Sequence, residues 1–136
     1  MITKLSHATV WVLDQDRAKD FYINKLGMEC RDDAKMGPFR WLTVGPKTQP
    51  DVRIILMPIQ EGPMMSAEAA AMLKKLVEAH ALGGGVLVTD NLDRDYKELS
   101  AKGVEFPRPP TKEPYGYAAV LRDDSGNYWS FGEATS

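Results

Sequence analysis

Hydrophobic and polar positions alternate over residues 5–13, where Thr9, Val10, Trp11 and Val12 are β-branched or aromatic. A period of two in such residues predicts a strand, with His7, Thr9 and Trp11 on one face. The period becomes helical at Ala18, Phe21, Tyr22 and Leu26. Asp14 or Asp16 can cap that helix by accepting free amide N–H groups, and Gly27 supplies the left-handed residue that ends it. Apolar runs predict three more strands near 28–35, 39–45 and 52–58, with Gly45-Pro46 and Gln49-Pro50-Asp51 marking the last turn.

The pattern then repeats. Val12-Leu13-Asp14 to Gly27 has its echo 76 positions on, in Val88-Thr89-Asp90 to Gly103. Pro38-Phe39-x-Trp41 matches Pro114-Tyr115-x-Tyr117, and Val44 matches Val120. In the second copy a strand is expected at 86–90, then a helix with Leu92, Tyr96 and Leu99 on one face. Strands near 116–122 and 128–133 flank the turn Asp123-Asp124-Ser125-Gly126-Asn127. Pro107, Pro109, Pro110 and Pro114 predict a stiff loop without a strand, and Gly83-Gly84-Gly85 reads as a flexible join.

Each half is therefore a βαβββ module, module one at about 1–60 and module two at about 83–136. A segment at about 61–82 is inserted between them. Ser66 is a good N-cap and the following alanine-rich stretch carries Met72, Leu73, Leu76 and Val77 on one stripe, which predicts a helix at about 66–80. A four-stranded sheet with one helix cannot hide both of its faces, so two modules should pair. The expected fold class is α+β, two tandem modules forming a curved mixed sheet around a cavity, in a single domain over 1–136.

Composition narrows the partners. The 136 residues are 43% hydrophobic and 26% charged, with a net charge of −2, as in ordinary globular proteins. No basic stripe is present to neutralise phosphates, which argues against nucleic acid. No apolar run reaches the length of a membrane span, and the amino terminus lacks a signal peptide's apolar segment, so the cytoplasm is the expected location. Cys30 is the one cysteine, which excludes an internal disulfide and a multi-cysteine metal site. Its place in a strand predicts a buried, inert thiol.

His7-Ala8-Thr9-Val10-x-Val12, followed by Asp16-Arg17-Ala18-x-x-Phe21-Tyr22 and Leu26-Gly27-Met28, resembles the opening of the vicinal oxygen chelate superfamily. That group includes glyoxalase I, extradiol dioxygenases and the fosfomycin- and bleomycin-resistance proteins. The Asp123–Asn127 turn resembles the family's ending. The resemblance implies four inward-facing metal positions, two from each half, filled by His, Gln or Glu in metal-dependent members. Carried over, they fall on His7, on Ile55 (Ile54 in the register of the repeat), within Gly83-Gly84-Gly85, and on Ser130. Isoleucine and glycine offer no donor, and serine is a poor ligand for a divalent metal. Glu133, on the opposite strand face from Ser130, and His80, on the inserted helix, are the remaining donors to check.

The leading expectation is a metal-free, cofactor-free protein that binds a small apolar or aromatic molecule in its cup. Cavity candidates are His7, Trp11, Trp41, Arg53, Ile55, Met57, Tyr115, Tyr117, Trp129 and Ser130. Arg53 could hold an anionic or carbonyl group by a forked hydrogen bond, or lie idle at a strand edge. The competing expectations are a metal-dependent glyoxalase-type lyase or a dioxygenase with a divalent metal on His7, and a structural protein whose cavity is filled. The resemblance also implies a homodimer, with modules pairing within or between chains.

Overall fold

A computed structural model describes residues 1–134. Module one comprises β1 (His7–Val12), α1 (Gln15–Asp20), β2 (Glu29–Met36), β3 (Phe39–Gly45) and β4 (Arg53–Pro58). Helix α2 (Ala67–Glu78) follows, then β5 (Gly83–Thr89), α3 (Leu92–Ala101), β6 (Arg108–Glu113), β7 (Gly116–Arg122) and β8 (Tyr128–Glu133). The strand orders β1-β4-β3-β2 and β5-β8-β7-β6 are the same arrangement twice. The outer pairs β1/β4 and β5/β8 are parallel, and the others antiparallel. The tandem βαβββ reading is the observed fold. No described helix is long and apolar enough to cross a membrane.

Local chemistry sets the element ends. Asp14 caps α1 through the Arg17 amide, Ser66 caps α2 through Ala69, and Asn91 caps α3 through Arg94. Beyond Asp20 the first helix widens into a π turn over Phe21–Lys25. This lets the adjacent rings of Phe21 and Tyr22 both sit in the core, at 5% and 0% exposure.

Three expectations are corrected. The proline-rich loop contains a strand, because β6 lies at the sheet edge, where an absent N–H leaves no partner stranded; a register shift between Arg108 and Thr111 takes up Pro109 and Pro110. Gly83-Gly84-Gly85 is not a loose join but the start of β5: a Cβ on Gly84 would lie 2.3 Å from the Trp129 indole. Cys30 is exposed rather than buried, because β2 is likewise an edge strand.

One hydrophobic cluster draws on both modules, from Val10, Val12, Phe21, Tyr22 and Leu56 to Leu92, Leu121, Trp129 and Phe131. At its margin sits the buried carboxylate of Asp123, 6% exposed. Its Oδ1 accepts from the backbone amides of Ser125, Gly126 and Asn127 at 2.9–3.0 Å. Its Oδ2 accepts from the Tyr22 hydroxyl at 2.7 Å, and that hydroxyl accepts from the Trp129 indole at 2.9 Å. Asn127 Nδ2 donates to the Trp11 carbonyl, and the Leu13 amide donates to Ser125 Oγ. A turn of module two thereby grips the end of β1. Replacing Tyr22 by Phe should strand the indole N–H and remove one donor from the carboxylate. A loss of about 2–4 kcal/mol in urea unfolding is expected; a loss below about 0.5 kcal/mol would take this junction out of the stability argument.

The neighbouring Asp124 is held less well. Its Oδ1 is buried without a hydrogen-bond partner among the described residues, and Arg17 reaches its Oδ2 at 3.4 Å. Burial, and then the charge of Asp123, push its carboxyl up to about 6 from an ordinary 3.8. Between those values the folded chain binds more protons than the unfolded one, so this group's contribution falls as pH rises through the window and stays low above it. Asp124→Asn should therefore gain on the wild type by about 1–2 kcal/mol between pH 4 and pH 7, allowing for partial solvation. Parallel unfolding curves at the two pH values check the sign.

Candidate functional site

The strand registers decide which side chains share a face. His7 pairs with Arg53, Thr9 with Ile55 and Trp11 with Met57 along β1/β4. Thr43 pairs with Ile55 along β3/β4, and Asp32 with Thr43 along β2/β3. Val10, Val12, Leu42, Ile54 and Leu56 alternate with these and enter the core. The other face of module one, turned from the helix layer, therefore gathers His7, Trp11, Trp41, Arg53, Ile55 and Met57 as expected from strand parity. The His7 and Trp41 rings lie 5.8 Å apart at 46°, and Ser6 Oγ stands 2.7 Å from His7 Nδ1. Trp11, Trp41 and Met57 are half-buried, while Ile55 is covered by its neighbours.

The matching face of module two is plainer. Val86 pairs with Ser130, and Val88 with Gly132. A hollow of about 210 Å³ lies there, lined by Val86, Val88, Tyr115, Ala118, Ser130 and Gly132. Tyr115 and Ser130 thus meet. Tyr117 also borders the hollow, whereas Trp129 does not join them. Trp129 is 4% exposed and points into the core towards Tyr22, because it alternates with Ser130. The Tyr117 ring packs against the same core, and its hydroxyl donates to Asp93 on α3 at 2.7 Å. Trp129 leaves the set of cavity candidates.

Two polar residues of the module-one face were missed. Thr43 is fully buried and donates its hydroxyl to Asp32 Oδ2 at 2.5 Å; Arg53 Nε donates to the same oxygen at 3.2 Å. The Thr43 hydrogen bond, followed by the charge of Arg53, holds the Asp32 carboxyl below its ordinary value. Simple alternation from Cys30 could not find Asp32, since the register shifts between these residues. Thr43 was legible, two positions from Trp41.

The donors do not fit a resident metal. At the carried-over positions stand His7, Ile55, the β5 glycines and Ser130, so a lone imidazole faces a hydrocarbon side chain, bare backbone and a hydroxyl. Among the described residues no three His, Cys, Asp or Glu side chains gather as a metal site. His80 adopts φ 62° and packs against Gly126, in a crevice of about 220 Å³ shared with Lys25, Glu105, Arg122 and Asp124. That is at the module junction and not on the face that carries His7. Glu133, at the far end of β8, is exposed.

A crevice of about 820 Å³ opens between the π turn, the β3–β4 loop, β5 and α3. Lys25, Lys47, Glu98 and Lys102 line it alongside Val86 and Val88. It marks where the modules part, and Phe131 is its one aromatic wall residue among those described, against the Trp11 and Trp41 rings of the module-one face.

The glyoxalase/bleomycin resistance protein/dioxygenase superfamily model matches residues 4–131. The chain is 34% identical to the uncharacterized protein YurT of Bacillus subtilis (strain 168), over 91% of this chain and 94% of that one. Among solved structures it is similar to UcmS2, with a TM-score of 0.92, 44% identity, and 98% and 100% of the two chains covered. It is also similar to TnmS3, an antibiotic binding protein from Streptomyces sp. CB03234, with a TM-score of 0.77 and 29% identity over 98% of each chain. The repeat, the two sheets and the full-length match agree: the chain belongs to the glyoxalase/bleomycin resistance protein/dioxygenase superfamily.

Proposed function

We propose that this chain binds a small apolar or aromatic molecule on the face bearing Trp11 and Trp41, that it needs no catalytic metal to do so, and that it acts as a cytoplasmic homodimer. The observation that carries this reading is a half-open aromatic face on which, of the carried-over metal positions, His7 alone keeps a ligand-type side chain. Flat aromatic walls with few polar groups suit small-molecule recognition by burial and stacking. The likeness to TnmS3, named for antibiotic binding, supports the same class, and capture of a toxic compound is one form the function takes. For the dimer, the support is the uncovered edge strand β5, where Val86 and Val88 are 72% and 65% exposed. Apolar side chains on an unpaired edge favour burial against another surface.

The competing reading, a lyase or dioxygenase with its metal on His7, has a direct test. Untagged protein purified without chelator should contain no stoichiometric Ni, Zn, Mn or Fe, and none of the four ions should raise its melting temperature. A stoichiometric metal lost in His7→Ala would overturn the metal-free reading. In parallel, naphthalene-type compounds should quench tryptophan fluorescence saturably, with Kd rising about tenfold or more in Trp41→Ala as stacking and buried area are lost. An unchanged Kd in that variant would move the ligand elsewhere.

A further inference from the structure

The module-one face carries two arginines, and their situations differ. Arg31, at the register shift of β2, is 6% exposed and fully engaged. Its Nη1 donates to the Val52 carbonyl, its Nη2 to the Pro46 carbonyl at 2.6 Å, and its Nε meets Glu29 at 3.3 Å. It staples the β3–β4 loop, with all three of its nitrogens committed to neighbours. Arg53 is 35% exposed and, among the described residues, only its Nε is engaged, by Asp32. Asp32 is itself fixed from beneath by the buried hydroxyl of Thr43. The guanidinium is thereby held by its inner edge, which leaves both terminal nitrogens to donate as a fork.

Beyond Asp32 and Thr43 the face is mostly aromatic and aliphatic. Arg53 pairs across the ladder with His7, which in turn lies against Trp41. Ile55, Trp11 and Met57 continue the same face. A planar fork beside an aromatic wall fits a planar pair of acceptor oxygens joined to a flat ring. Resting on the proposed binding role of this face, we infer that its ligand is an aromatic compound carrying a carboxylate, which Arg53 grips while Asp32 and Thr43 act as positioning residues. Forked guanidinium–carboxylate pairing is the strong, orientation-specific case of the charge-assisted hydrogen bond.

The test uses two probes of one shape, 2-naphthoate and 2-isopropylnaphthalene, titrated at pH 7.5 by tryptophan fluorescence and by calorimetry. The wild type should prefer naphthoate. Arg53→Gln should raise the naphthoate Kd by about ten- to a hundredfold and shift that of the hydrocarbon by less than about twofold. Asp32→Asn should narrow the preference part-way, and Arg53→Lys should recover only part of it, since an ammonium keeps the charge without the fork. A fold defect would weaken both probes together, so the ratio of the two affinities is the readout, with melting curves as a control. If both probes bind the wild type and Arg53→Gln leaves the ratio unchanged, the carboxylate anchor is overturned and the aromatic cup stands. If neither binds, the binding role and this inference fall together.

Discussion

One buried carboxylate holds the two halves of this chain in register. Asp123 accepts five hydrogen bonds, three from its own turn, one from Asn127 Nδ2 and one from the Tyr22 hydroxyl. A charge in that position is tolerable only because every one of those donors is present. The same turn reaches the Trp11 carbonyl and the Leu13 amide. The end of β1, and with it the placement of Trp11, is therefore set by module two, although the aromatic face belongs to module one. Aromatic face and module junction are mechanically one object.

The repeat has kept its architecture and divided its chemistry. Both modules have the same strand order, a capped helix and a glycine stop. On the face turned from the helices, module one carries rings and a braced guanidinium, whereas module two carries Val86, Val88, Ser130, Ala118 and Gly132, small or aliphatic side chains around a shallow hollow. The two faces are therefore unlike, and not two equivalent surfaces. This also explains why fold and function part company here, since identical topology supports unlike surfaces.

Much of this was legible in the chain. The 76-residue echo and the change of period between strands and helices led to the two modules, because burial demands alternate faces in sheets and stripes in helices. Face assignment was legible wherever strands ran without interruption, as for His7, Trp11, Arg53, Ile55 and Met57. It failed in two ways. Trp129 and Ser130 are adjacent and so cannot share a strand face; choosing between them needed the core partner Tyr22, more than a hundred residues away in the chain. Asp32 was hidden by a register shift, and no local pattern announces such a shift. The prolines of β6 misled because their penalty depends on whether a strand is central or at an edge, a fact of tertiary structure.

The glycines at the start of β5 bear on how this lineage can change. A side chain at Gly83 would run into the Tyr128 ring, and one at Gly84 into the Trp129 indole, at 2.6 and 2.3 Å. Trp129 cannot yield easily, since its N–H is tied to Tyr22 and so to Asp123. An imidazole introduced at Gly84 must first dislodge the Trp129 indole that joins the halves, and one at Gly85 must take up a φ of 139°. Packing at this corner acts as a ratchet: side chains of the aromatic face can change one at a time, whereas a side chain at Gly84 disturbs the junction between the halves.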